Sequence, residues 1–367
     1  MRKLRVLIVD DSAVIRNLLR SAVAADPELE VAGVAANGKI ALAMVDQCTP
    51  DVVTMDVEMP EMDGLTALKA IRSTHPALRI IMFSTLTERA AIATLDALAL
   101  GADDYVTKPS HVQNVSEGSR RISEHLIPKI KALCGPRAAP RVRPAPGSAR
   151  AAARPAKRNL HPEVVAIGSS TGGPNALAEI LPQIPGDFPL PILVVQHMPP
   201  VFTAFLAERL SASSPIPVKE ASPRAEVGHG QVWIAPGDFH LIVVRDGVQI
   251  RLATIQIPPE NSCRPSVDVL FRSVAEVYGG RSLAVVLTGM GQDGLRGCEC
   301  IHEAGGQIVV QDEASSVVWG MPGAVAGAGI ADRVLPLAEI AGEIIRQARP
   351  NPSADTGAVS RIQGQVV

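Results

Sequence analysis

The 367-residue sequence is poor in aromatic residues, which make up only 3% of it. Its hydrophobic cores must therefore be built from Val, Ile, Leu and Ala, a composition typical of α/β layers whose strands are buried on both faces. The sequence also lacks an excess of charge of one sign, since 35 Lys and Arg against 37 Asp and Glu give a net charge of −2. This balance argues against a general attraction to nucleic acid or to a membrane surface.

Cysteines are few and follow no disulfide-framework spacing: there are five, an odd number. Cys298 and Cys300 could suggest a metal pair, but no second pair is nearby, so reduced, buried thiols are predicted. No apolar run approaches the ~18–20 residues of a membrane-spanning helix. The short N-terminal run ends in two aspartates where a signal sequence would need a cleavage site. A cytoplasmic protein without membrane insertion is expected.

The length suggests about two domains, and a biased segment separates them. Residues 135–158 contain five prolines and seven basic residues but no acidic residue, which predicts a semi-extended linker. A basic run could also contact nucleic acid or an acidic protein surface. The predicted domains are residues 1–125, with a helix running on to about 134, and residues 159–350. A flexible tail is predicted at 351–367.

In the first domain, apolar strand-like runs alternate with segments of helical spacing. This alternation predicts a doubly wound (βα)5 domain with a parallel sheet. The strands are predicted at 4–9, 31–36, 51–56, 79–84 and 104–109, and the helices at 12–25, 38–47, 64–74, 87–99 and 112–133.

The alternation resumes after the linker, with strands predicted near 163–168, 190–196, 281–287 and 307–311. Residues 216–253 differ, because VVRDGVQI carries an Asp-Gly hairpin signal between β-prone flanks. The second domain is therefore predicted to be a doubly wound, mostly parallel α/β domain with a small antiparallel appendage that contains the hairpin.

Three carboxylates are predicted to converge at the carboxyl ends of the first domain's strands, where open parallel sheets bind ligands. Asp10 and Asp11 end the first strand and Asp56 ends the third. Such a group needs a cation, and Mg²⁺ suits an all-oxygen site. Ser84 and Lys108, at the ends of the fourth and fifth strands, could hydrogen-bond and neutralise a phosphoryl group bound there.

This joint pattern resembles the receiver domain of two-component response regulators over residues 1–125. The matching stretches are VDDS at 9–12, TMDVEMPEMDG at 54–64, MFSTLT at 82–87 and YVTKP at 105–109. The resemblance implies that Asp56 is the phospho-acceptor and that Asp10 and Asp11 help to bind Mg²⁺. It also implies that Ser84 and Lys108 sense the phosphoryl group and that Tyr105 lies at the switch face.

A candidate nucleophile opens the second domain. In EVVAIGSSTG, at 163–172, a strand-like run ends in Gly-x-Ser-x-Gly before a helix-like segment, which would place Ser170 at the tip of a tight turn. His197 and Asp293 each follow another predicted strand and would gather at the same edge of the sheet. They supply the base and the orienting carboxylate that acyl transfer requires. The Met290 amide is a plausible oxyanion donor in the glycine-rich loop that includes Gly291.

The second domain resembles the chemotaxis protein-glutamate methylesterases, in which a catalytic domain follows a receiver. The resemblance rests on IGSSTGGP, QHMPPVFTAFLAERL, WIAPGDFH, RPSVDVLF, VVLTGMGQDG and the stretch at 305–324. It implies that Thr171 and Met290 lie in the site. Ser169 stands where many relatives have alanine, and Val201 stands where glycine is common. Because Ser169 offers a second hydroxyl beside Ser170, the choice of Ser170 as nucleophile is worth testing.

The predicted function is hydrolysis of glutamyl methyl esters on chemotaxis receptors, with deamidation of receptor glutamines by the same chemistry. The resemblance implies a histidine kinase as phosphodonor and a resting receiver that covers the active site. The protein is expected to be a monomer, without a cofactor in the catalytic domain. Two alternatives stay open: a response regulator with a scaffolding or DNA-binding output, and a methylesterase of a non-chemotactic signalling array. The neutral charge and the lack of a helix-turn-helix pattern count against DNA.

Overall fold

A computed structural model describes residues 2–109, 115–135 and 160–349. The predicted linker from residue 136 onward and the predicted tail lie outside these described residues. The described part forms two α/β units that contact each other. None of its helices is long and apolar enough to cross a membrane.

The N-terminal unit is a five-stranded parallel sheet of order β2-β1-β3-β4-β5, which confirms the predicted (βα)5 fold. Its strands are β1 (Leu4–Val9), β2 (Leu29–Ala35), β3 (Val52–Asp56), β4 (Arg79–Ser84) and β5 (Asp104–Thr107). Its helices are α1 (Ala13–Ala25), α2 (Gly38–Cys48), α3 (Gly64–Thr74), α4 (Glu88–Ala99) and α5 (Val115–Cys134). The strand order reverses between β1 and β3, so Asp10 and Asp56 lie side by side at the end of the sheet where ligands bind.

Local sequence explains where these helices begin. Side chains of Ser12, Asn37, Asp63 and Thr87 each accept a hydrogen bond from a backbone N–H of the first turn of α1 to α4. Such caps satisfy N–H groups that have no partner within the helix. The strands between them are largely buried, since helices cover both faces of the sheet.

The C-terminal unit is a seven-stranded sheet of order β14-β13-β12-β6-β7-β9-β8, in which all paired strands are parallel. Its strands are β6 (Val164–Ser169), β7 (Ile192–Gln196), β8 (Val218–Glu220), β9 (Val232–Ile234), β12 (Ser282–Val286), β13 (Gln307–Gln311) and β14 (Arg333–Leu335). Its helices are α6 (Gly173–Ile180), α7 (Phe202–Ser213), α8 (Val267–Tyr278), α9 (Leu295–Glu303), α10 (Met321–Gly327) and α11 (Leu337–Ala348).

A separate antiparallel hairpin is formed by β10 (His240–Asp246) and β11 (Gln249–Ile255), joined at the predicted Asp-Gly turn. The predicted small antiparallel appendage is confirmed as this hairpin, whereas β8 and β9, which also lie in residues 216–253, extend the main parallel sheet. These strands are only three residues long, too short for their pattern to reveal which sheet they join. The two units meet where α4 of the N-terminal unit packs against α6 and α7.

Candidate active site

The turn between β6 and α6 presents Ser170. All six residues of β6 are buried, whereas Ser170 is only half-buried. Gly172 has a φ of +78°, a left-handed conformation that favours glycine, and it allows the chain to turn directly into the helix. A Cβ at Gly173 would lie 1.9 Å from Gln196 Oε1, so only glycine fits here. The Gly-x-Ser-x-Gly-Gly pattern therefore has a steric basis in the structure.

Ser169 points away from this turn. Its side chain is fully buried, and its hydroxyl donates a 2.7 Å hydrogen bond to Gln196 Oε1. The Gln196 amide in turn donates to the backbone oxygen of Ser170 at 3.0 Å. Ser169 thus supports the turn from behind, where a substrate has no access to its hydroxyl.

The structure brings His197 and Asp293 together at the end of the sheet. His197 follows β7, and its backbone N–H donates to Ser169 O on the neighbouring strand at 3.1 Å. His197 Nε2 lies 2.8 Å from Asp293 Oδ2, which leaves Nδ1 as the ring nitrogen free for another partner. That partner is Cys263, whose Sγ lies 3.5 Å from Nδ1. Among the described residues, the Ser170 hydroxyl forms no hydrogen bond.

Asp293 is held by the amino-terminal end of α8. Its carboxylate accepts hydrogen bonds from Val267 N at 2.6 Å, Ser266 Oγ at 2.8 Å and Asn261 Nδ2 at 2.9 Å. Burial raises the pKa of this carboxyl, but the hydrogen bond and charge of His197 and these donors outweigh it and hold the pKa well below its usual range. Asp293 is therefore an ionised, fixed partner for the imidazole.

A second buried carboxylate positions the loop that carries Asp293. Asp268 Oδ1 accepts from Gly294 N at 2.9 Å and from Gly297 N at 2.7 Å. Burial, and then the charge of Asp293, raise the pKa of Asp268 to about 6 despite these donors. Sequence reasoning did not identify Asn261, Cys263, Ser266 or Asp268 as site residues. The family-like stretch RPSVDVLF, which contains Ser266 and Asp268, could have indicated these two residues.

The surroundings of His197 favour the protonated form of its imidazole. Burial lowers its pKa, but hydrogen bonds to Asp293 and Cys263 and the charges of both raise the pKa to about 10. Asp293 therefore stabilises the imidazolium that forms when His197 takes up a proton.

The glycine-rich loop after β12 lies beside the serine turn. Thr288 O accepts from Ser170 N at 3.0 Å, and a Cβ at Gly289 would lie 2.9 Å from that of Ser170. Gly291 has a φ of +86°, so this loop turns in a conformation that favours glycine. Met290 packs against the hydrophobic cluster that contains Ile122 of the N-terminal unit. A role of the Met290 amide and Gly291 at an oxyanion stays a prediction.

The predicted phospho-acceptor site is assembled at the ends of β1, β3 and β5. Lys108 Nζ lies 2.8 Å from Asp10 Oδ2 and 2.7 Å from Asp56 Oδ2. One carboxylate oxygen from each of Asp10, Asp11 and Asp56 lies within 4.8 Å of the others. Burial and the charge of Asp10 raise the pKa of Asp56 to about 6 against the opposing effect of Lys108. This all-oxygen donor set with excess negative charge fits Mg²⁺.

The Ser84 hydroxyl forms no hydrogen bond to the carboxylates of Asp10, Asp11 or Asp56. Its Oγ accepts a 2.7 Å hydrogen bond from Thr94 Oγ1 on α4, and both side chains are fully buried. Phosphoryl sensing by Ser84 stays a prediction.

The N-terminal unit covers the serine turn from one side. Thr171 Oγ1 donates to Asp104 Oδ2 at 2.6 Å, and Lys129 Nζ lies 2.8 Å from the same oxygen. The rings of Tyr105 and Phe202 stack with centroids 5.1 Å apart. Two further contacts join α4 to the C-terminal unit: Asn175 Nδ2 to Leu98 O at 2.9 Å and Arg209 Nη1 to Asp96 Oδ1 at 2.6 Å.

These features define a response regulator whose receiver packs against an α/β output domain. The receiver matches the family model for response regulator receiver domains over residues 6–118, and the output domain matches that for CheB methylesterases over residues 165–344. The chain is 54% identical to the protein-glutamate methylesterase/protein-glutamine glutaminase of Trichodesmium erythraeum, over 95% of this chain and 99% of that protein. It is 50% identical to the protein of that name from a Nocardioides species, over 98% of this chain and all of that protein.

The crystal structure of the Thermotoga maritima CheB methylesterase catalytic domain is also similar, with 44% identity and a TM-score of 0.50. The matched region covers 51% of this chain and 99% of the Thermotoga maritima chain. The chain therefore belongs to the family of protein-glutamate methylesterases/protein-glutamine glutaminases. The family membership and the α/β fold expected from the sequence are confirmed.

Proposed function

We propose that this protein hydrolyses glutamyl methyl esters on chemotaxis receptors, giving glutamate and methanol, and that it also converts receptor glutamines to glutamate. Full-length similarity to relatives named as such enzymes supports the proposal. The observation that carries it is the contact of His197 with Asp293, which α8 holds, together with the hydrogen bond of the His197 backbone to Ser169, the residue before Ser170. A scaffolding or DNA-binding output finds no such support.

The reaction begins when Ser170 Oγ attacks the ester carbonyl carbon and His197 Nδ1 takes the serine proton. Nδ1 takes this role because Asp293 occupies Nε2. Asp293 would stabilise the imidazolium that forms, and backbone N–H groups near Met290 would stabilise the oxyanion. The imidazolium then protonates the leaving methanol, and a water molecule, activated by the same base, releases glutamate. With a glutamine side chain, ammonia leaves instead of methanol.

The receiver controls this reaction through Asp56. One carboxylate oxygen of Asp56 attacks the phosphorus atom of a phosphohistidine on a histidine kinase, and the P–N bond breaks as the kinase imidazole leaves. Asp10, Asp11 and Asp56 would hold Mg²⁺, which when bound neutralises charge on the phosphoryl oxygens. Lys108, which bridges Asp10 and Asp56, would pair with the phosphoryl group once it forms.

We expect phosphorylation to release the receiver from the serine turn by weakening the contacts that it makes there. Thr171 is bonded to Asp104, and Tyr105 is stacked on Phe202. Phosphorylation that shifts β5 or α4 would weaken these contacts together and open the site to a receptor helix.

The test is methanol release from methylated receptor membranes, measured with and without acetyl phosphate and Mg²⁺. The full chain should release methanol slowly and be stimulated by the phosphodonor. An Asp56→Asn variant should keep the basal rate but lose the stimulation. If no methanol is released under any condition, the proposed activity is wrong; if Asp56→Asn is stimulated normally, the acceptor is another residue. Receptor membranes from different arrays decide between a chemotactic and another signalling role.

A further inference from the structure

A thiol and an imidazole face each other at the centre of the candidate active site. Cys263 Sγ lies 3.5 Å from His197 Nδ1, and the two residues, together with Asp293, place one ligand atom each within 4.8 Å of one another. We propose that Cys263 and His197 bind Zn²⁺ and that the bound ion inhibits the esterase by occupying the ring nitrogen that Ser170 needs. The inhibition rests on the proposed function, whereas the metal binding does not.

The distance between the two atoms suits a shared zinc ion. Zinc bonds to Cys sulfur at about 2.3 Å and to His nitrogen at about 2.0 Å, so a tetrahedral ion separates the two ligands by about 3.5 Å. The observed separation of Cys263 Sγ and His197 Nδ1 equals this spacing. Both side chains could therefore hold the ion without moving apart. Thiolate and imidazole also bind Zn²⁺ in preference to Mg²⁺.

The second ring nitrogen of His197 has the partner that metal-binding histidines require. Such histidines donate their other N–H to a carboxylate or carbonyl, which fixes the ring and makes the ligand more basic. His197 Nε2 lies 2.8 Å from Asp293 Oδ2, and α8 holds that carboxylate in place. The triad pair that orients His197 for catalysis thus also orients it for zinc.

Cys263 is fixed by a tight turn. Glu260 and Cys263 exchange two backbone hydrogen bonds, of 3.1 and 2.8 Å. The two residues between them, Asn261 and Ser262, have φ values of +52° and +63°, as in a two-residue hairpin turn. The carboxylate of Glu260 is paired with Arg272 on α8, which ties the turn to the helix that holds Asp293. The turn that carries Cys263 is therefore already ordered before a metal binds.

The site is open to solvent and the cations around it are neutralised. A cavity of about 250 Å³ lies over Cys263 and His197 and has room for water ligands. Lys129 and Arg264 also line it, but Lys129 is paired with Asp104 and Arg264 with Asp238. Two protein ligands leave two positions for water, one protein ligand fewer than catalytic zinc sites ordinarily have, and binding releases the protons of the Cys263 thiol and of His197 Nδ1.

Direct binding is tested by titrating the full chain with CoCl₂ and then with ZnCl₂. One Co²⁺ per chain should give a thiolate-to-cobalt charge-transfer band in the near ultraviolet, and Zn²⁺ but not Mg²⁺ should remove it. Cys263→Ser should abolish the band. Cys300→Ser removes another partly buried thiol of the same domain and should keep it. A band that survives in Cys263→Ser, or is lost in Cys300→Ser, would overturn the site.

Inhibition is measured in parallel as methanol release with ZnCl₂, each variant being compared with its own metal-free rate. The wild-type chain and Cys300→Ser should be inhibited at about one equivalent and recover when EDTA is added. The zinc concentration for half inhibition should rise at least about tenfold in Cys263→Ser, since even outer-shell changes cost that much affinity. Equal zinc sensitivity of Cys263→Ser and wild type would overturn the proposal. A cobalt band in a chain that releases no methanol would uphold the metal site and refute the esterase.

Discussion

The hydroxyl of Thr171 donates a 2.6 Å hydrogen bond to the carboxylate of Asp104, and both side chains are buried. Thr171 directly follows the candidate nucleophile, whereas Asp104 begins the last strand of the receiver sheet. This bond therefore links the turn that carries the candidate nucleophile to the receiver sheet. It gives a structural reason why phosphorylation of the receiver should change the reactivity of Ser170.

Asp104→Ala should raise the activity of the unphosphorylated chain. The variant removes the buried acceptor of the Thr171 hydroxyl, a loss of about 1–3 kcal/mol, whereas Lys129 keeps its hydrogen bond to Tyr105 O. If that energy favours the closed arrangement, basal methanol release should rise at least about fivefold. Asp103→Ala is the control, because Asp103 pairs with Arg72 and Arg79 inside the receiver. Equal basal rates of Asp104→Ala and wild type would contradict the coupling.

Ser170→Ala and Ser169→Ala should separate catalysis from support of the turn. Ser170→Ala should abolish methanol release, because Ser170 is the proposed source of the attacking oxygen. Ser169→Ala should keep most of the activity but lower the free energy of unfolding by about 1–3 kcal/mol, since Gln196 Oε1 loses its buried donor. Methanol assays and chemical denaturation of both variants check this. Comparable activity in Ser170→Ala would point to Ser169 as nucleophile.

The pKa of His197 should be about 10 in the resting chain. An unfolded histidine has a pKa of about 6.5, so the folded state binds the proton more tightly. The resulting stabilisation is fully present below pH 6.5 and is lost as the pH rises through 10. NMR titration of the His197 ring should show this value, and Asp293→Asn should lower it. A wild-type titration near 6.5 would show that the ion pair is not formed in solution.

Val201→Gly should be more stable than Val201→Ala, the reverse of the usual order. Val201 has a φ of +75° at the start of α7, a conformation that costs a branched residue about 1–3 kcal/mol. Both variants lose the valine side chain, but only glycine relieves this strain. Thermal unfolding of the two proteins measures the difference. A more stable alanine variant would mean that α7 begins differently in solution.

The strands and helices of the receiver could be predicted to within a few residues. Each β/α unit there combines a short buried strand with a capped amphipathic helix, and both patterns are local. The sequence also predicted that His197 and Asp293 meet, since parallel strands end at one edge of the sheet. It did not predict β14 or place β8 and β9, because three-residue strands carry too little pattern.

The sequence by itself determined the order of the two domains, the identity of Ser170 and Asp56 as candidate reactive residues, and the fold that presents them. These features depend on motifs within one strand and its following turn. Only the tertiary structure decided that Cys263 lies against His197, that Ser169 faces Gln196, and that Asp104 bonds to Thr171. These partners are 66, 27 and 67 residues apart, and the directions of their side chains depend on how loops and domains pack. Such packing follows from the burial of whole faces, which no short stretch of sequence specifies.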